Sequence, residues 1–216
     1  MDPKRRTQKE RREGTIRKLL DAATETLIDV GYAEASVQRI CARAELSQGA
    51  LFRHFATREA LMVAVGADVG ARILERYRAR FLSLPAGEAA IAPAVRLVRD
   101  ACRSRLNQAW YELSIAARTN DNLRKHLEPV ARHYYEDIAT AARELLPELA
   151  TNVGSSFDVL VTTVIAVFDG EAIARFAVVQ PELEESRLTL LVAAAEQLVG
   201  GSVQVAAPAR SRARRS

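Results

Sequence analysis

Between Ser36 and Phe55 the chain reads SVQRICARAELSQGALFRHF, and the residue types there recur in an order suited to a DNA groove. Ser36 and Ser47 each precede a short apolar run, where a serine hydroxyl can accept from an orphan backbone N–H. Val37, Ile40, Cys41 and Ala44 follow the first serine at helical spacing, and Leu51 and Phe55 follow the second. Two short helices joined by a tight turn at Glu45 and Leu46 are predicted. Their inward residues leave Gln48, Gly49, Ala50, Arg53 and His54 at or near the opposite face. That face is small and polar, as a major groove requires of the α-helix that fills it. A second chemistry is raised by His133 and Glu136 in HYYE, one helical turn apart, with Glu112 and His126 elsewhere. A di-iron carboxylate bundle needs two such motifs and further glutamates on facing helices, and only one is present. There is no nucleophile elbow, phosphate loop or metal-binding repeat, so neither catalysis nor a metal or other cofactor is expected.

The elements that position the polar face are read from periodicity. Ile16, Leu19, Leu20, Ala23, Leu27 and Val30 form one apolar stripe that Gly31 ends as a C-cap glycine would. Thr57 caps a fourth helix whose stripe of Leu61, Val65, Val69, Ile73 and Tyr77 reaches to about Phe81. SLPAG at Ser83–Gly87 reads as a break. Beyond it no strand alternation occurs. One helix is predicted from Pro93 to about Thr119, and another over Asp121–Leu146 that Pro129 must kink or split. An apolar helix follows over Gly154–Val179. The last helix spans Pro181–Val199, with Glu182, Glu184 and Glu185 in its first turn.

In these motifs the chain resembles the tetracycline-repressor-like (TetR) family of bacterial transcription regulators. The resemblance extends upstream through IRKLLDAATETLIDVGYAEAS (Ile16–Ser36), with its Gly-aromatic turn at Gly31 and Tyr32, and downstream through FRHFATREALMVAV (Phe52–Val65). It covers about the first third of the chain; the rest matches only in being helical. Phe52 stands where the family most often has tyrosine, removing a hydroxyl that could reach a phosphate. Arg58 stands where a lysine is usual, and can still grip a phosphate. The resemblance implies an all-α fold, a three-helix DNA-binding head joined by a long fourth helix to a helical body for ligand binding and dimerisation. It implies that Gln48 and Arg53 read bases, since an amide pairs with adenine and a guanidinium with guanine. Gly49 and Ala50 let the helix approach, and Gln38 and Phe52 belong to the same DNA-binding set. Ser36, Arg39, Ser47, His54 and Arg58 take phosphates, with Lys4, Arg5, Arg6 and Lys9 of the basic arm. His54 has capping or packing as its other reading.

Composition agrees with a polyanion-binding head on a neutral body. The 216 residues carry a formal net charge of +4. Residues 61–209 hold fifteen basic against eighteen acidic side chains, so the excess positive charge sits at the two ends. A basic flexible arm is expected over 1–13, the DNA-binding domain over 14–60, the body over 61–201 and a disordered basic tail over 202–216. With no apolar run of about eighteen residues and no apolar segment behind the N-terminal basic residues, a cytoplasmic protein without a membrane span is expected. Two cysteines without clustered ligands give neither a disulfide framework nor a zinc site. Cys41 reads as a small buried hydrophobe.

The helix from Gly154, apolar nearly all round, is expected to pair with the last helix in a homodimer interface through Val164, Phe168, Ile173, Leu188, Leu191 and Leu198. The other reading is the central helix of a monomeric bundle. Two heads related by a two-fold axis would read an inverted-repeat operator. The family resemblance further implies a small-molecule effector that shifts the heads; the alternative reading is a DNA-binding regulator that is independent of ligand. The effector's expected pocket is lined by Cys102, Leu106, Trp110, Leu113, Tyr134, Tyr135, Val161 and Ile165, an apolar lining suited to a hydrophobic ligand, unless these aromatics are ordinary core.

Overall fold

Thr7 opens α1 (Gln8–Glu34) with a capping box: its hydroxyl accepts from Glu10 N at 3.2 Å while the Glu10 carboxylate accepts from Thr7 N at 2.8 Å. The computed structural model describes residues 7–201. The expected arm over 1–13 is therefore corrected from Gln8 onward, where the chain is already helical. Lys9 belongs to that helix, while Lys4, Arg5, Arg6 and the basic tail over 202–216 lie outside the described residues.

Within α1 the helix breaks at Gly31, whose φ of 75° and ψ of 170° turn the chain toward the next element. There follow α2 (Val37–Ala44), α3 (Gln48–Phe52), α4 (Arg58–Leu82), α5 (Ile91–Cys102), α6 (Arg105–Ala117), α7 (Asp121–Leu145), α8 (Pro147–Val153), α9 (Phe157–Ala174) and α10 (Pro181–Val199). The described residues hold no strand, and none of their helices is long and apolar enough to cross a membrane.

Two predicted elements differ. The single helix expected over Pro93–Thr119 is two, because Ser104 takes extended backbone and its hydroxyl caps α6 by accepting from Asn107 N at 3.3 Å. The apolar spacing from Cys102 to Leu106 carries across this break and hides it. α7 runs through Pro129 without splitting, and the all-round apolar helix begins at Phe157 and ends at Ala174.

The described chain forms two compact units. The first takes the chain up to Arg76 together with Ser104–Glu136; the second takes Tyr77–Arg103 and the chain from Asp137 onward. Both α4 and α7 contribute to each. In the first unit Leu19, Leu27, Ile40, Leu51, Leu61, Val65, Leu113 and Leu123 are wholly buried. Cys41 joins this core as expected, and burial pushes its thiol pKa up. α1 and α4 are laced by alternating charges, Arg17 donating to both oxygens of Asp68 at 2.7 and 2.5 Å and Arg72 to Asp21 at 3.0 Å. α7 lies so close to α4 that a Cβ on Gly70 would sit 2.9 Å from Tyr134 Cδ2.

The second unit packs α5, α8, α9 and α10 around Phe157, Val164, Phe168, Ala172, Leu188 and Val199. This corrects the expected dimer interface. Val164, Phe168 and Leu188 are 5%, 0% and 2% exposed within a single chain, so they belong to its own core. Leu191 and Leu198 are half-buried, and only Ile173 of the set is exposed. On α9 Phe157, Val164, Phe168 and Ala172 face inward, Val161, Ile165 and Val167 are half-buried, and Thr162, Thr163, Ala166, Gly170 and Ile173 are exposed.

Two glutamates sit in this core, Glu171 and Glu184, each 4% exposed. Burial pushes the Glu184 carboxyl up, but the Gln180 amide and the guanidinium groups of Arg103 and Arg175 outweigh it and hold the group below the usual carboxylate range. A hydrogen bond from Arg99 lowers Glu185 likewise. A native pKa below the unfolded value means that the stabilisation is complete above the unfolded value, about 4.3 for glutamate. It is lost as pH falls through the native value. The thermal midpoint should therefore hold near neutrality and fall below about pH 4.5. Glu184→Gln should shallow that acid limb in scanning calorimetry, and an unchanged limb would contradict the assignment.

Candidate nucleic-acid interface

Ser36 and Ser47 do what their positions predict. The Ser36 hydroxyl accepts from Arg39 N at 3.3 Å and opens α2, and Ser47 accepts from Ala50 N at 3.1 Å and opens α3. Between them Glu45 takes a left-handed backbone, φ 55°, and its amide closes back onto the end of α2. That reversal makes the turn tight. Ile40, Cys41 and Ala44 of α2 and Leu51 of α3 are buried, which fixes which face of each helix looks outward.

Ser36, Gln38 and Arg39 are exposed at the start of α2, and Ser47, Gln48, Gly49, Phe52 and Arg53 are exposed on or beside α3; Ala50 is half-buried. Gly49 is open, the nearest heavy atom to a Cβ built there being Ser47 Oγ at 3.9 Å. The Arg53 Nε makes a long bond, 3.4 Å, to Gly49 O. Arg39 meets Glu34 at 3.2 Å in an exposed pair. Phe52 is 47% exposed beside these polar groups. A phenyl ring there can meet a thymine methyl, so losing the hydroxyl does not remove the residue from the surface. His54 is half-buried, with Nδ1 enclosed and without a hydrogen-bond partner among the described residues.

Arg58 requires a correction. Its Nε donates to Ala35 O at 2.9 Å, a terminal nitrogen donates to Tyr32 O, and the guanidinium lies 4.2 Å from the centre of the Tyr32 ring. It clamps the turn between α1 and α2 to the start of α4 instead of reaching outward for a phosphate. The sequence carried no signal for this, because the carbonyls it serves lie more than twenty residues away.

The residues expected to line a pocket divide. Leu106, Trp110, Leu113, Tyr134 and Tyr135 belong to the first unit, and Cys102, Val161 and Ile165 to the second. Within the first, Trp110 and Leu113 are buried and the Trp110 and Tyr134 rings lie 5.0 Å apart, with Tyr135 5.7 Å from Tyr134 and 40% exposed. His133 and Glu136 are exposed, and no group of three or more metal-ligating side chains occurs among the described residues.

The model of the tetR family of bacterial regulatory proteins matches residues 19–65, from the middle of α1 into α4. An HTH-type transcriptional regulator of Mycobacterium tuberculosis is 42% identical over 188 residues, spanning 87% of this chain and 96% of its own. Among solved structures, a TetR-family transcriptional regulator from Rhodococcus sp. superposes with a TM-score of 0.63 at 19% identity, covering 85% of this chain and 99% of that one. The transcriptional regulator FadR from Bacillus subtilis, in complex with stearoyl-CoA, superposes at 0.58 with 14% identity, over 87% of this chain and 99% of its own.

Proposed function

The chain belongs to the tetR family of bacterial regulatory proteins, and from that premise we propose that it is a ligand-responsive repressor, binding an inverted-repeat operator as a homodimer and released by a small hydrophobic effector. It is a DNA-binding transcriptional regulator, not an enzyme, and acts in the cytoplasm. Residues 14–60 read the DNA and 61–201 form the body. The observation that carries the proposal is the outward face of α3, where Gln48, Gly49 and Phe52, with Arg53 just past its end, stand exposed on a helix whose other side is locked by Leu51.

Dimerisation rests on exposed apolar surface in the second unit. Ile173, Phe176, Leu183 and Leu190 are 38%, 59%, 50% and 68% exposed, and a Cβ on Gly170 would meet nothing within 4 Å. Leu183 and Leu190, seven residues apart on α10, share one helix face, and exposed side chains of this size favour an interaction surface. A second copy presenting the same face would bury them and supply the second head. Effector response is supported by the aromatic cluster of Trp110, Tyr134 and Tyr135. The stearoyl-CoA bound by FadR carries a long alkyl chain, the part of such a ligand that aromatic side chains favour. Tyr134 packs against Gly70 of α4, so a ligand that displaced its ring would free α4 to shift.

Selection of bound fragments from genomic DNA by the purified protein tests this function. The expected result is an inverted repeat, with Arg53→Ala relaxing one position in each half-site at a cost of about 1–3 kcal/mol per contact. Recovery of unrelated sequences whose binding depends only on salt would refute sequence-specific regulation.

A further inference from the structure

Gly31 breaks α1 in the left-handed region, and the break points the next amide, Tyr32 N–H, out of the helix. A carboxylate from another helix meets it. Glu112, on α6, accepts from Tyr32 N at 3.0 Å, and its Oε2 would lie 3.0 Å from a Cβ at position 31. Glycine is needed here twice over, for its φ and for the space that the carboxylate occupies. Tyr32 is held on its other sides too. Asn120, which caps α7 by accepting from Leu123 N at 2.9 Å, reaches the Tyr32 hydroxyl at 3.4 Å, and Arg58 covers the ring and takes the carbonyl. Four residues beyond Tyr32 stands Ser36, the cap of α2.

We propose that Glu112 is a positioning residue for DNA reading: through the Tyr32 amide it sets the direction in which the chain leaves α1 and so the pitch of α2 and α3. The proposal rests on α3 being the reading helix. The physical ground is that an amide exposed by a helix break has no intrahelical partner, so the one acceptor supplied to it fixes the break's geometry. Base contacts tolerate little misplacement of the reading helix, whereas phosphate contacts are diffuse. Loss of Glu112 should therefore separate the two kinds of binding.

The test takes the full chain, a DNA site selected by the wild type and an unrelated duplex of equal length. Glu112→Ala is expected to bind the selected site about tenfold more weakly, with affinity for unrelated DNA unchanged and unfolding still cooperative. Glu112→Gln, which keeps an acceptor, should restore specific binding to within about threefold. In nitrogen-edited NMR the Tyr32 amide proton should exchange faster in Glu112→Ala and stay protected in Glu112→Gln. If Glu112→Ala does not fold, Glu112→Asp, one methylene shorter with the charge kept, carries the same comparison. Equal loss on both duplexes, or none on the selected site, overturns the proposal. A wild type without sequence preference overturns the reading of α3 and the proposal with it.

Discussion

Gly49→Glu is expected to abolish sequence-specific DNA binding without lowering the thermal midpoint, which should stay or rise by a few degrees. On the folding side nothing opposes the change. Gly49 is not among the positive-φ residues, the site is exposed, and the nearest atom to a new Cβ is at ordinary contact distance. Glutamate is a better helix former than glycine by about 0.5–1 kcal/mol, and a carboxylate in the first turn of α3 is favoured by the helix dipole. On the DNA side the same carboxylate would stand between Gln48 and the groove, opposed by phosphates and by base acceptors. Displacing the readers of both half-sites forfeits about 3–6 kcal/mol, more than a hundredfold in affinity. Fluorescence anisotropy on the selected fragment, beside scanning calorimetry, measures both quantities. Gly49→Ala is the steric control, expected to weaken binding by far less. A Gly49→Glu protein that still binds the fragment would remove α3 from the interface.

That position was legible in the sequence because everything which defines it is local. A capping serine needs only the amide three residues on, so Ser36, Ser47 and Thr57 mark three helix starts that the structure reproduces within a residue. The outward face follows once Leu51 is assigned inward. Legibility fails where a residue's partner is distant in sequence. Arg58 reads as a phosphate ligand until Tyr32 and Ala35 are seen to claim its donors. Glu112 reads as a stray acid until the Gly31 break is seen beside it. In α9 the failure is of another kind. A helix apolar on every side has no moment to say which face the chain keeps for itself, and Val164 and Phe168 went to the core. The place of Glu184 in the first turn of the last helix does not reveal that it is buried against Arg103 and Arg175.

Those buried acids carry the largest expected loss of stability. Glu171 on α9 accepts from Arg103, the residue that closes α5, at 2.5 Å and from Arg187 of α10, with Nε of Arg99 on α5 at 3.5 Å. One carboxylate thus ties three helices together with little solvent to screen it. Bringing the charges together cost desolvation, so the cluster as a whole need add little to stability. Removing one member is different, because its partners are left facing each other. Glu171→Ala is expected to cost about 3–5 kcal/mol in denaturant unfolding. Glu171→Gln should lose less, since an amide oxygen still accepts while the charge is gone. Arg99 retains Glu185 at 2.9 Å and Arg103 retains Glu184 at 2.8 Å, but Arg187 loses the carboxylate it was donating to. The contrast is the exposed pair of Arg78 and Glu144 at 2.8 Å in the same unit. Glu144→Ala should cost under about 1 kcal/mol, because water replaces the lost partner. Equal shifts for the two alanine variants would mean that the Glu171 carboxylate is solvated in solution. A several-fold larger shift for Glu171 would make the arginine cluster the tie that sets α9 and α10 against α5.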